Sequence, residues 1–182
     1  MRLGISFYPL SRTPAGPSSL RAPVVFAGYG ITAPEEGYDD YATVDVRGAA
    51  VVVLTHEPEE AEPTSRFAGR ALTPHAGVGR KAEVARDRGA ALMLLVEDPL
   101  HATDRARTTD WPSDPQIDDY ALPVLRVDRL RLERALGLDI EGLARDIDHG
   151  LVPRSRPVPG TLVRYDRDQE GLQWAPAALC PA

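Results

Sequence analysis

Lysine is all but missing from this 182-residue chain: Lys81 stands alone, and arginine carries the remaining positive charge. Basic residues number 21 against 27 acidic ones, for a net charge of −6. The two signs are interspersed, which describes a solvated surface and argues against nucleic acid as a partner. Cysteine is equally scarce. Cys180 has no second cysteine to pair with, so an intramolecular disulfide and a closed thiolate zinc site are both excluded. A secreted protein without disulfides stays within bounds. No apolar run approaches the ~20 residues that cross a bilayer. The N-terminal apolar run is broken by Pro9 and Ser11, so this chain as given shows no signal peptide.

Catalytic patterns are lacking as well. The four histidines, His56, His75, His101 and His149, fall in no HxxxH, HExxH or HxD setting. His56 and His75 are therefore expected to serve in loops or caps rather than as ligands. No serine sits in GxSxG. Gly28-Tyr29-Gly30 follows a strand but opens no helix, so a dinucleotide site fails its context. Gly77-Val78-Gly79-Arg80-Lys81 has half of a phosphate loop, without the spacer or the closing Ser/Thr. The expectation is a chain with no catalytic residue, no metal and no cofactor of its own.

What is present is the material of one α/β domain, with 43% apolar residues and no internal repeats. Strands are expected at 3–8, from Val24 to Phe26, and at 50–55, 90–96, 122–127 and 160–165. The continuous runs AVVVLT and AALMLLV suit strands covered on both faces. Thr73-Pro74 opens a helix over about 75–88 with Val78, Ala82 and Ala85 inward, and Gly89 ends it. Strand, helix, strand in that order implies a crossover and parallel pairing. Asp128 caps a second helix with Leu132, Ala135 and Leu136 inward, ended by Gly137. Asp139 caps a third, whose Ile140, Leu143, Ala144 and Ile147 make the cleanest stripe in the chain. Residues 11–19, 31–49, 57–65 and 98–119 read as connectors, and the acidic EPEEAEPTS at 57–65 as exposed loop.

Four segments carry a family resemblance. The first runs from Phe26-Ala27-Gly28-Tyr29-Gly30-Ile31 through Tyr38-Asp39-Asp40-Tyr41 to Asp45-Val46-Arg47-Gly48. The second is Phe67-Ala68-Gly69-Arg70-Ala71-Leu72-Thr73, leading to the helix bearing Lys81 and Ala85. Gly89-Ala90-Ala91 and the apolar run behind it are the third. Ile147-Asp148, Leu151-Val152-Pro153-Arg154-Ser155 and Pro159-Gly160 are the last. In order and spacing, these resemble the protease-associated (PA) domain of zinc aminopeptidases of the glutamate-carboxypeptidase-like superfamily.

That resemblance implies a β-rich core, an open barrel or sandwich with mixed pairing, flanked by about three short helices. It implies a PA-like domain over 1–166, with a C-terminal tail at 167–182 whose order stays open. The related enzymes keep their zinc ligands in a separate downstream domain, and nothing after residue 166 resembles one. Three functions follow as alternatives: a non-catalytic module that binds or gates peptides, a fragment of a split or truncated aminopeptidase, or a stand-alone structural or oligomerisation domain. The implied partner is a peptide or a peptidase catalytic domain. Related proteins are mostly exported, which suggests an extracytoplasmic site by resemblance only. The candidate binding residues are Arg66, Arg70 and His75, with the guanidinium groups set to pair with a peptide carboxylate. In the loop before them, either Asp39, Asp40 and Asp45 shape irregular backbone through hydrogen bonds, or Glu35, Glu36, Asp39 and Asp40 hold calcium.

Overall fold

A computed structural model describes residues 7–10, 19–101, 120, 122–166 and 171–176. Residues 11–18 of the connector expected at 11–19, Trp111 with most of the 98–119 excursion, and Cys180 lie outside the described residues. In chain order the elements are β1 (Phe7–Pro9), β2 (Ser19–Phe26), β3 (Thr32–Ala33), β4 (Tyr38–Asp39), β5 (Ala50–Leu54), α1 (Val78–Asp87), β6 (Leu92–Val96) and β7 (Val124–Val127). Then come α2 (Arg129–Leu136), α3 (Ile140–Asp148), β8 (Arg156–Asp166) and β9 (Gly171–Pro176).

One mixed seven-stranded sheet runs in the order β1-β7-β6-β5-β2-β8-β9, and β3 with β4 forms a separate small hairpin. The β5–α1–β6 crossover is parallel, as the sequence implies, and β2 and β7 extend that parallel block. β1, β8 and β9 pair antiparallel at the flanks. β5 and β6 are buried at every position, which is why their sequence is continuously apolar rather than alternating. Val51 and Val53 face α1, packing with Ala82 and Ala85. Val52 and Leu54 face the other way, into a core shared with Leu132, Ile140, Leu143, Ala144 and Ile147. The molecule is thus a β-rich α/β fold with one helix on one face and two on the other.

The boundaries differ from expectation for identifiable reasons. β2 starts at Ser19 instead of Val24, because exposed Arg21 and buried Ala22 and Val24 already alternate. β8 extends over Pro157 and Pro159, which a regular ladder would not admit. The pairing jumps from Pro23↔Leu162 to Val24↔Val158, so the irregular stretch takes up residues that a regular ladder could not pair. β9 adds a strand at 171–176, beyond the residue-166 limit expected for the domain.

α1 begins at Val78. Thr73 does act as an N-cap, accepting from the His75 amide, but for the short 3-10 turn Pro74–Ala76. Gly77 then lies extended (φ −65°, ψ 130°) and separates that turn from the helix. Ala135, expected inward, is exposed: α2 is so short that Leu132 and Leu136 alone make its buried line. Asp128 and Asp139 cap as expected, accepting at 2.8 Å from the Arg131 and Gly142 amides. Asp139→Ala should cost about 1 kcal/mol, since α3 would lose the acceptor for an otherwise unpaired N–H. Thermal unfolding checks this, and an unchanged midpoint would mean that solvent serves the amide equally well.

Candidate functional site

The carboxyl ends of β2, β5 and β6 lie side by side, and each opens into a polar turn. At the end of β2 the backbone turns through Gly28 (φ 52°) and Gly30 (φ 68°), aiming the Tyr29 carbonyl sideways. After β5, His56 adopts φ 60°, and its carbonyl faces the same point. That point is occupied by Nζ of Lys81, which donates to the Tyr29 oxygen at 2.5 Å and to the His56 oxygen at 2.7 Å. Lys81 is 1% exposed. Its helix places it among Val78, Ala82 and Ala85, so the lysine projects from the buried stripe.

Carboxyl groups surround this ammonium. Asp40, Glu57 and Asp98 are all fully buried. Burial depresses the Lys81 pKa to about 7, with Asp40, Glu57 and Asp98 pulling the other way. Burial likewise pushes Asp40 up to about 7, opposed by the Ile31 amide, the Tyr38 hydroxyl and the Lys81 charge. Tyr38 donates to Asp40 Oδ1 at 2.8 Å and the Ile31 amide to Oδ2 at 3.0 Å, so both oxygens are served. The Tyr29 hydroxyl donates to Asp98 Oδ2 at 3.0 Å. Burial first, and then the neighbouring aspartate, raises the pKa of both phenols well above the ordinary value. Nζ thus donates to two carbonyls, and the three buried acids act on it through their charge alone.

Sequence reading placed Glu57 in exposed loop, and the fold corrects that. Its oxygens accept from the Thr73 amide at 2.8 Å and the Thr73 hydroxyl at 2.6 Å, while its charge faces Lys81. These partners sit 16 and 24 positions away, out of reach of any local pattern. Lys81 did leave a signal: the sole lysine falls at i+3 from Val78 on a stripe that should be apolar.

Through Thr73, the cluster holds one end of loop 66–75. Phe67, fully buried, holds the other, edge-on to Tyr38 at 5.4 Å between ring centroids. Arg66 donates to the Glu36 carbonyl. The His75 ring packs edge-on against Phe67, and its Nε2 lies 2.9 Å from Glu35 Oε1. Arg66 and His75 therefore both grip the turn Pro34–Glu36, and the structure brings them together there. Arg70 stands between them in sequence, exposed, with no ion-pair partner among the described residues. Leu72 is 40% exposed, an unusual position for a large apolar side chain in this fold. Ala68 (φ 61°, ψ 7°) holds left-handed backbone and Leu72 (φ 47°, ψ 130°) another positive-φ conformation, each costing a residue with a Cβ of order 1–3 kcal/mol.

The acids of loop 31–49 are spread over separate tasks. Asp39 Oδ1 accepts from the Thr32 hydroxyl and the Tyr41 amide, and its Oδ2 meets Arg88 at 2.7 Å. Asp45 pairs with Arg47, and Glu35 with His75. Loop shaping accounts for each contact.

No known family profile matches this chain, and no curated protein matches it. Among solved structures, BSAP, a zinc aminopeptidase from Bacillus subtilis, is similar with a TM-score of 0.39 and 17% identity. The match covers 67% of this chain and 22% of that one, so this chain spans under a quarter of that enzyme's length.

The remaining histidines have structural partners. His56 Nδ1 lies 2.7 Å from Glu60 Oε2. His101, with a side chain only 7% exposed, lies 2.7 Å from Asp98 through Nδ1 and 3.4 Å from Asp148 through Nε2. Burial lowers its pKa, but the Asp98 hydrogen bond and the charges of Asp98, Asp148 and Glu60 outweigh this and raise it overall. Asp148 Oδ1 also accepts from the Glu59 amide at 2.6 Å. His101 thus joins the turn after β6 to the end of α3.

Proposed function

We propose that this chain is a non-catalytic PA-type accessory module, and that loop 66–75 is its contact surface for a peptide or protein. The observation that carries the reading is the form of the loop. Both ends are locked, by Phe67 in the core and by Thr73 on buried Glu57, while the middle holds strained backbone that presents Leu72 and Arg70 outward. Strain of this kind persists where the surroundings over-determine it, and it clusters at ligand-contacting segments. A locked loop also loses little conformational entropy on binding.

The three candidate residues divide the work. Arg66 and His75 position the loop on the Pro34–Glu36 turn, and Arg70 receives the ligand's carboxylate. Leu72 covers an apolar side chain next to that carboxylate. Lys81 and its acids hold the base in place, a role that needs no turnover.

Calorimetric titration with short peptides ending in leucine, as free acids and as amides, tests the proposal. The free acid should bind at least about tenfold more tightly, because a charged hydrogen bond is worth about 1.5–3 kcal/mol. Arg70→Ala should abolish that difference while leaving the fold intact. Equal binding of acid and amide, or none below millimolar, would refute the reading. Hydrolysis of an aminoacyl anilide by the purified chain with added zinc would refute the non-catalytic part.

A further inference from the structure

We infer that the acidic turn 57–65 completes the contact surface, and that Glu59 and Glu62 select ligands with a basic residue just before the terminal apolar one. This rests on the reading of loop 66–75 as the contact surface, and it adds the charge of the ligand's second side chain.

The turn and the loop are joined at two places, so they present one surface. Glu57 accepts from the Thr73 amide at 2.8 Å and from the Thr73 hydroxyl at 2.6 Å. Gly69, buried in the middle of the loop, lies directly on the turn. A Cβ there would be 2.5 Å from the Glu62 carbonyl oxygen and 3.6 Å from Pro63 Cα, so only glycine permits the approach. The same carbonyl accepts from the Ser65 amide at 3.1 Å, and Ser65 Oγ accepts from the Phe67 amide at 3.0 Å. His56 (φ 60°) and Glu59 (φ 57°) share the positive φ of Ala68 and Leu72. Among the described residues, Leu151 is the one other non-glycine residue of this kind. Backbone strain is thus gathered in residues 56–72, across turn and loop alike.

Charge divides this surface. Glu57 is committed to Thr73, and Glu60 to His56, whose Nδ1 lies 2.7 Å away. Glu59 and Glu62 have no ion pair among the described residues, and Glu62 is exposed. On the loop, Arg66 is committed to the Glu36 carbonyl, while Arg70 is exposed. Arg70 and Glu62 do not pair with each other, although Gly69, next to Arg70, touches Glu62. Both charges therefore stay available to a ligand. Charges rooted this close act within a screening length of about 8 Å in physiological salt, so direct contact with the acids is not required. With its carboxylate on Arg70 and its last side chain on Leu72, a peptide has its preceding residue about 3.8 Å further along the chain, within that range. Lysine or arginine there is drawn to the two acids, and glutamate is repelled.

The test is calorimetry on the full chain with acetylated tripeptides ending in leucine as the free acid, with lysine, glutamine or glutamate before it. The lysine peptide should bind about threefold more tightly than the glutamine peptide, the scale of an exposed charge pair, and the glutamate peptide about threefold less tightly. Salt at about 0.5 M should erase most of both differences. Glu59→Gln combined with Glu62→Gln should remove them at low salt as well, and keep the preference for free acid over amide. Asp87→Asn, at the other end of α1 and about 15 Å along it, should leave them intact. Equal binding of the three peptides, or a lysine preference that survives in the double variant, would overturn the selection by Glu59 and Glu62. If acid and amide still differ in that case, Arg70 keeps its role and only this inference falls. Binding of none of the peptides would defeat the contact-surface reading and this inference together.

Discussion

Lys81→Met should lower the unfolding free energy by about 2–6 kcal/mol, because two buried carbonyls lose their donor and each unsatisfied buried acceptor costs about 1–3 kcal/mol. Methionine keeps the stem packed, so the loss isolates the ammonium. Without it, the carbonyls of Tyr29 and His56 lose their donor, and Asp40, Glu57 and Asp98 remain buried without their shared positive charge. For a domain whose whole stability is about 5–15 kcal/mol, that is a large part. Asp40 should respond by holding its proton to higher pH, since the lysine charge is among the influences that lower its pKa. The pH dependence carries a second signature. Folding depresses Lys81 from 10.5 to about 7, so the unfolded chain binds more protons across that interval. The lysine's contribution to stability therefore rises with pH there, and the substituted protein should lack that rise. Urea unfolding followed by circular dichroism, at several pH values, reads both effects. A loss below about 1 kcal/mol would show that the acids do not depend on the ammonium.

Gly28→Ala should cost about 3 kcal/mol or more, for two separable reasons. At φ 52° a Cβ is strained by about 1–2 kcal/mol in any surroundings. Here it would also lie 2.2 Å from Asp40 Oδ1 and 2.8 Å from its Cγ. Asp40 has nowhere to swing, because Tyr38 and the Ile31 amide hold both oxygens within the core. Gly48 provides the control: its φ is 70°, and an added Cβ would meet nothing within 4 Å. Gly48→Ala should therefore show the strain alone, and chemical denaturation of the pair separates the two costs. Equal losses would mean that Asp40 yields to the methyl group and is not locked as described.

Local chemistry made much of the framework legible. Asp128, Asp139 and Thr73 cap within three residues of themselves, so their roles can be read in a short window. The α3 stripe and the β5 and β6 runs report burial directly, since each apolar position there faces a packed neighbour. The helix over 75–88 was harder. Gly77 sits at the join in extended backbone, which separates the Pro74–Ala76 turn from α1. β2 and β8 reach further than their apolar centres because each supplies the other's edge, a gain that neither segment shows alone.

The candidate site divides in the same way. Arg66, Arg70 and His75 could be named from one short segment, but their different duties depend on a turn some thirty to forty residues earlier. By itself, the sequence determined the α/β class, the parallel crossover, the capped helices and the absence of any local catalytic or metal motif, because periodicity and capping act within a few residues. Only the tertiary structure decided that Glu57 is buried, that Lys81 feels the charge of acids from three separate turns, and that His101 lies between two carboxylates. Glu57 with Thr73, Lys81 with its acids and His101 with Asp148 each join separate parts of the fold, and the energy of a buried charge depends on what the fold sets beside it.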